Sequence, residues 1–303
     1  MLGHSTPWLD VVGHPIQAHG GGFLRHGGRW YWYGEDKSGP TLRLGVCGFR
    51  VDAIGVACYS STDLVNWRRE GLALSAEAAD PEHDLHPCKV MERPKVVYNQ
   101  RTKQFVMWLH VDEVDYKHAA CGVAVADRPE GPFRYLGSQR PCGEESRDMT
   151  LFQDEDGSAW LIHSSEWNKT LHVVRLSDDY LKPAGGFIAL FAGQSREAPA
   201  IFRHGGRYHI LTSGCSGWDP NAAEHAWADR IEGPWTVTGN PCRGPEAELT
   251  FRAQSTAILP DPHDPTRAIA CFDRWKKEDL QDSRYLWLPL HFVGDAAIVD
   301  WLE

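Results

Sequence analysis

The chain repeats itself. The segment HGGGFLRHGGRWYWYGE at 19–35 recurs as EAPAIFRHGGRYHILTS at 197–213, and both copies contain the turn RHGGR. Apolar and aromatic runs flank the turn, and its glycines readily adopt positive φ angles, a pattern typical of a β-hairpin. Three further segments that begin at Glu92, Asp148 and Gln254 have the same pattern. The repeats therefore predict five hairpins.

A second, shorter repeat follows several of these hairpins. It reads GVAVADRPEGPFRYLG at 122–137 and HAWADRIEGPWTVTG at 225–239, with looser relatives at 56–71 and 171–185. Two hairpins together make a four-stranded unit of about 50–60 residues, the size of a propeller blade. Five such units nearly fill the 303 residues. We predict an all-β fold, a five-bladed β-propeller that forms a single domain over residues 1–303, with a β-sandwich as the alternative.

Charge and composition narrow the choice of partner. The formal net charge is -10 and the chain has no run of Lys and Arg, which argues against nucleic acid and favours an uncharged substrate. Thirteen tryptophans suggest exposed rings that stack on sugars, although aromatic residues also fill cores. The sequence alone leaves the oligomeric state open.

The termini and cysteines bear on location. No stretch of 18 apolar residues occurs, so we expect no membrane span. The N-terminal sequence lacks a basic region followed by an apolar one, which favours the cytoplasm unless a leader has been removed from a secreted protein. Eight cysteines are scattered as singles, which predicts mostly buried free thiols while leaving disulfides open.

Polar residues occupy one position of the repeat. The first strand of each propeller blade lines the central channel, so equivalent residues face one another across it. In chain order these residues are His19 (with Gln17 two residues earlier), Glu92, Asp148, Glu197 and Gln254. Clustered carboxylates acquire unequal pKa values, and one of them can stay protonated near neutral pH. Glycosidic cleavage needs such a proton donor together with a group that activates water.

A purely structural role for these acids is the competing hypothesis. Arg93, Arg147 and Arg196 each adjoin one of the acids and could neutralise them in ion pairs that plug the channel. Neighbouring residues on a strand point to opposite faces, so we expect each Arg not to pair with the acid beside it.

The motifs that carry these residues resemble glycoside hydrolase family 43, and within it the exo-β-1,3-galactanase-like branch. The markers are QAHGGG with WYWYGE, MERPKV at 91–96, SRDMTLF at 146–152, REAPAIF at 196–202, SGWDPN at 216–221 and AQST at 253–256. The resemblance implies a five-bladed propeller, an inverting mechanism and the release of galactose from the non-reducing end of β-1,3-galactan. No cofactor is required.

The resemblance also assigns roles. It implies that Glu197 is the general acid and that Asp148 raises the pKa of that acid. Most of the wider family has an Asp as general base at the start of the first blade, whereas this chain has Gln17, Ala18, His19 and Gly20 there. We expect Glu92 to be either the base or a sugar ligand, and Gln254 to orient the water.

Further residues are candidates for substrate binding. They are Gln17, His19, Glu35, Tyr116, Asn168, Ser216 and Trp218. Trp218, followed by Asp219 and Pro220, has a turn context that would expose its indole as a stacking platform. The sequence contains no aspartate-rich calcium loop, and we assign no metal ligand, but the resemblance makes a central Ca²⁺ possible, with His225 as a ligand through water.

Two other functions fit the same motifs. An α-L-arabinofuranosidase or β-xylosidase is possible because fold does not fix substrate. A galactan-binding propeller without catalytic activity is the other, because the usual base is missing.

Overall fold

The computed structural model describes residues 6–44 and 48–302. It is a five-bladed β-propeller, as the repeats predict. Each of the five hairpins supplies the two inner strands of one blade. In chain order these pairs are β1 (His19–His26) with β2 (Arg29–Glu35), β7 (Val90–Asn99) with β8 (Gln104–Asp112), β11 (Met149–Gln153) with β12 (Ala159–Ser165), β15 (Arg196–His204) with β16 (Arg207–Gly214), and β20 (Gln254–Pro260) with β21 (Ala268–Arg274).

The outer strands complete the blades in the order of the shorter repeat. They are β5 (Gly55–Ser61) and β6 (Arg68–Ser75), β9 (Ala120–Ala126) and β10 (Arg134–Gln139), β13 (Thr170–Leu176) and β14 (Pro183–Leu190), β17 (Ala223–Ala228) and β18 (Thr236–Gly239), and β22 (Arg284–Val293) and β23 (Ala296–Asp300). The fifth blade has a fifth strand, β19 (Cys242–Arg243), parallel to β23. The hairpin of β3 (Leu42–Leu44) and β4 (Gly48–Arg50) is an insertion in the first blade, and short 3-10 helices span Pro141–Gly143, Ala247–Arg252 and Leu280–Asp282.

The innermost strands form a closed ring. Strand β1 contacts β7, β7 contacts β11, β11 contacts β15, β15 contacts β20, and β20 contacts β1 again. The last and first blades are held together by packing, because Trp8 lies against both Trp32 and Trp287. The ring therefore places the starts of all five inner strands at one end of the central channel.

Four inner strands are irregular near that end. Register shifts occur between His19 and Gly22 in β1, between Glu92 and Lys95 in β7, between Glu197 and Ala200 in β15, and between Ser255 and Ala257 in β20. Within the first three, Gly20, Arg93 and Ala198 have φ of 60°, 52° and 52°. A Cβ at Gly20 would collide with Glu35 Oε1, so only glycine fits there. Such bulges turn side chains that strict alternation would direct away from the channel.

Most of the apolar core lies between blades, and much of the tryptophan content is structural. Seven tryptophans are buried: Trp8, Trp30, Trp32, Trp67, Trp108, Trp160 and Trp287. Of the cysteines, the seven within the described ranges are free thiols, and Cys58, Cys121, Cys242 and Cys271 are buried, while Cys47 lies outside those ranges. No helix in the described ranges is long and apolar enough to cross a membrane.

Candidate active site

A cavity of about 270 Å³ lies where the five inner strands begin. Its floor comes from those strands, and its rim comes from the loops that join the second and third strands of the blades. Its lining includes Glu35, Glu92, Arg93, His110, Tyr116, Arg147, Asp148, Asn168, Glu197, Cys215, Trp218, Gln254 and Trp275. The structure thus brings together eight of the eleven residues selected from the sequence.

Glu197 is the carboxyl group most strongly held in its protonated form. It is 7% exposed, and burial together with the negative charge of Asp148 raises its pKa to about 8. Asn168 Nδ2 donates to its Oε2 over 3.0 Å, and Gln254 Nε2 donates to its Oε1 over 2.9 Å. At neutral pH the group can therefore release a proton, and the two amides stabilise the carboxylate that forms.

Arg93 fixes the groups around Glu197. Its Nε lies 2.9 Å from Asp148 Oδ1, and its Nη2 donates to Gln254 Oε1 over 2.6 Å. Asp148 Oδ2 also accepts from Ala198 N, 3.0 Å away. As expected, Arg93 does not pair with neighbouring Glu92, and the bulge turns it to Asp148 of the next blade. Arg147 pairs instead with Glu145 and Arg196 with Glu224, so no closed network fills the cavity formed by the described residues.

Glu92 has the opposite environment. Its Oε2 lies 3.1 Å from His110 Nδ1, and its Oε1 accepts from Tyr116 Oη over 2.9 Å. Burial alone would raise the pKa of Glu92, but the hydrogen bond and charge of His110, with Lys37 and Tyr116, lower it to about 2. His110 bonds Asp112 through Nε2, and although burial opposes it, Asp112 and Glu92 raise the pKa of His110 to about 9. Glu92 is thus ionised at neutral pH.

Glu35 is a third glutamate that lines the cavity, beside Glu92. Its Oε2 pairs with Lys37 Nζ at 2.8 Å, and its Oε1 accepts from Arg93 N over 3.0 Å. Burial and the nearby charge of Glu92 raise its pKa against the opposing effect of Lys37. The residue links the first blade to the Arg93 cluster of the second.

Two tryptophans also line the cavity. Trp218 and Trp275 are half-buried, and their ring centroids lie 5.4 Å apart with planes at 80°. Trp275 Nε1 donates to Gln254 Oε1 over 3.1 Å. The carbonyl of Gln254 thus accepts from both Arg93 and Trp275, which fixes its NH₂ group toward Glu197.

Three predicted ligands do not line this cavity. Gln17 and His19 are buried, with Gln17 Nε2 bonded to Gln281 O over 2.9 Å and His19 stacked on Tyr285 at 4.8 Å. His19 does not occupy the channel position that the repeat predicts, because the bulge in the first blade turns Gly20 inward instead. The N–H of Gly20 donates to the carboxylate of Asp273. Ser216 Oγ donates to Asp219 O over 2.6 Å, so it holds the loop that carries Trp218.

The residues present do not fit a calcium ion at His225. Its Nε2 bonds His209 Nδ1 at 3.1 Å and its Nδ1 bonds Thr238 Oγ1 at 2.6 Å, in the third strand of its blade. Arg93 brings a positive charge to the cavity, and burial with the charge of Arg93 lowers the pKa of nearby Lys95 to about 7. Lys95 Nζ donates to Gly20 O over 2.8 Å. Over residues 6–44 and 48–302, no group of three or more His, Cys, Asp or Glu side chains is placed to hold a metal.

Five residues of the cavity were not among the predicted site residues, although two of them, Arg93 and Arg147, were considered as ion-pair partners: Arg93, His110, Arg147, Cys215 and Trp275. Two others had a detectable signal. His110 pairs with Glu92 in the hairpin register, and Trp275 follows the second strand of its blade much as Trp218 does in the preceding one.

Comparisons with known proteins identify the family of the chain. The model of Glycosyl hydrolases family 43 matches residues 23–256. A family 43 β-1,3-galactosidase solved with galactodeoxynojirimycin is 39% identical with a TM-score of 0.92, over 99% of both chains. An exo-β-1,3-galactanase from Phanerochaete chrysosporium solved with β-1,3-galactotriose is 36% identical with a TM-score of 0.89, over 98% of this chain and 66% of that one.

A curated protein is more distant. The β-D-galactofuranosidase xynD of Aspergillus niger is 28% identical over 188 residues, and the match spans 58% of this chain and only 54% of that protein. The family model, by contrast, extends from the first blade into the last. Together with the two solved structures, it establishes that the chain belongs to glycosyl hydrolase family 43.

Proposed function

We propose that the protein is an inverting, exo-acting glycoside hydrolase that releases galactose from the non-reducing end of β-1,3-galactan. The observation that carries the proposal is the pair of carboxyl groups in one cavity, Glu197 with a pKa raised to about 8 and Glu92 with a pKa lowered to about 2. Two similar structures, of a β-1,3-galactosidase and an exo-β-1,3-galactanase, support the choice of substrate.

In this mechanism Glu197 protonates the glycosidic oxygen as the bond from C1 to that oxygen breaks. The bonding electrons go to the leaving oxygen, and Glu197 becomes a carboxylate that Asn168 and Gln254 stabilise through their amide donors. Asp148 keeps the proton on Glu197 beforehand, because its negative charge raises the pKa of its neighbour.

Water attacks C1 from the opposite face of the ring and transfers its proton to Glu92. A carboxylate of low pKa is a weak base, but it suffices because the bond to the leaving group is largely broken in an oxocarbenium-like transition state. Gln254 cannot accept that proton readily, since Arg93 and Trp275 already donate to its carbonyl oxygen. Its second amide hydrogen can orient the water.

The shape of the cavity favours exo cleavage. At about 270 Å³ it is below the usual range for drug-sized ligands and suits a single sugar ring. Glu35 and Tyr116, on the Glu92 side, and Trp218, beside Trp275, are the proposed contacts for that ring. Gln17, His19 and Ser216 would support the site from behind.

The test is incubation with β-1,3-galactobiose and β-1,3-galactotriose, followed by chromatography of the products and early NMR of the released sugar. We expect galactose to appear first as the α-anomer. First release of the β-anomer would contradict inversion, and preferential cleavage of arabinofuranosides or xylosides would contradict the substrate. Binding without release would indicate a catalytically inactive galactan-binding protein.

A further inference from the structure

Trp167 is an exposed aromatic residue at the edge of the active-site cavity. It is 54% exposed, and it lies in the loop between β12 and β13, directly before Asn168. Asn168 lines the cavity and contacts Glu197. Consecutive Cα atoms are about 3.8 Å apart. The indole is therefore attached to the chain one residue before Asn168, which donates a hydrogen bond to the proposed proton donor, Glu197.

The loop holds Trp167 in a conformation that ordinary residues avoid. Glu166, Trp167 and Asn168 have φ of 53°, 57° and 61°, three consecutive left-handed residues without a glycine. Trp167 N donates to Glu145 Oε2 over 3.0 Å, and Thr170 Oγ1 donates to Glu166 Oε2 over 2.7 Å. Strain of this kind persists only where surrounding contacts fix it, and it concentrates at functional sites.

Arg147 supports one face of the indole. Its guanidinium carbon lies 4.1 Å from the ring centroid of Trp167, and its side chain is 5% exposed. Arg147 is fixed in turn by Glu145 Oε2 at 2.7 Å and by Tyr116 O at 2.9 Å. The ring is therefore ordered before any ligand arrives, which lowers the entropic cost of stacking against it.

We propose that Trp167 is the stacking platform for a galactosyl unit on the leaving-group side of the cleaved bond. The axial 4-hydroxyl of galactose leaves C–H groups on one face of the ring, and an aromatic surface matches that apolar face. The inference rests on the proposed function and deepens it, because it assigns a binding site outside the cavity that holds the terminal sugar.

The experiment compares W167A and W167F with wild type, using W227A as a matched control. Trp227 also stacks on an arginine, Arg207 at 4.3 Å, but at the far end of its blade. We expect W167A to lower kcat/KM for β-1,3-galactotriose by about tenfold, and W167F by less, since a smaller ring still stacks. Inhibition by free galactose, which occupies only the terminal-sugar site, should not change, and W227A should match wild type.

Equal losses of galactose affinity and kcat/KM would overturn the proposal, because Trp167 would then act only through Asn168. An unchanged kcat/KM for galactotriose would overturn it as well. If wild type releases no galactose, the proposed hydrolase fails, and calorimetry decides the platform separately. Weaker binding of galactotriose by W167A than by wild type would then support the platform, and equal binding or none by wild type would overturn it.

Discussion

The Glu92 and Glu197 sides of the cavity occupy equivalent places in the second and fourth blades, yet they hold their carboxyl groups in opposite charge states. Each residue precedes a bulge near the start of its inner strand. Burial raises the pKa of both, but His110, Lys37 and Tyr116 reverse that effect at Glu92, whereas Asp148 reinforces it at Glu197. The repeat supplies two carboxyls, and their neighbours decide which is protonated and which is ionised at neutral pH.

The neighbours differ because they come from parts of the blade that vary from one repeat to the next. Glu92 faces His110 from the second strand and Tyr116 from the following loop. Glu197 faces Ser213 in the same register, and its polar partners Asn168 and Gln254 come from the blades on either side. A cationic imidazole bonds one carboxyl directly, whereas the direct side-chain partners of the other, two amides and the Cys215 thiol, are neutral.

The largest expected effect comes from removing the protonated side. Glu197→Gln should lower kcat on β-1,3-galactobiose by about 10³-fold, because the amide cannot protonate the leaving oxygen. A substrate with a good leaving group, such as 4-nitrophenyl β-galactoside, should lose much less. Equal losses on both substrates, measured by initial rates, would contradict the assignment of Glu197 as acid.

Thermal unfolding provides the control for this variant. In the folded chain the pKa of Glu197 is about 8, whereas its ordinary value is 4.5. The folded state therefore holds this proton more tightly than the unfolded state does. The resulting stabilisation is fully present below pH 4.5 and is lost as the pH rises to about 8. The neutral glutamine removes this dependence. The melting temperature of the variant should therefore exceed that of wild type more at pH 8 than at pH 4.5.

The ionised side gives the next largest effect. Glu92→Ala should lower kcat by about 10²-fold, since water loses its proton acceptor. Azide needs no base, so it should restore turnover and form α-galactosyl azide, which NMR identifies. A rise in KM with kcat unchanged and no azide product would instead make Glu92 a sugar ligand.

Sequence reasoning predicted the fold and most of the cavity residues but not the contacts among them. Repeats of turn and strand are visible in the sequence. The five hairpins could therefore be predicted, as could the positions of Glu92, Asp148 and Glu197 at the channel end of their inner strands. The bulges could not, because a positive φ at Arg93 or Ala198 has no signature in residues that normally avoid it. Strict alternation placed His19 in the channel, where the structure does not have it, and gave no sign that Arg93 would reach Asp148 of the next blade.

Asp148→Asn has the smallest expected effect on activity, and it tests directly whether neighbouring charges set the different pKa values of Glu197 and Glu92. In Asp148→Asn the charge that raises the pKa of Glu197 is gone, while the positive charge of Arg93, which lowers that pKa, remains. The alkaline limb of kcat/KM, expected near pH 8 in wild type, should move by about one unit or more toward lower pH. Activity at pH 7 should fall by about twofold for a shift of one unit and by about tenfold for a shift of two, with recovery toward pH 5.

The acid limb distinguishes a change of charge from a damaged site. Glu92 has its own partners, none of them Asp148, so its low pKa should be unaffected and the acid limb should not move. A uniform loss at every pH would mean that the substitution has merely released Arg93 and Ala198 N from the carboxylate they share in wild type. A shift confined to the alkaline limb would mean that the charge of Asp148 adds to burial in keeping the proton on Glu197, while Glu92 stays ionised through its own partners.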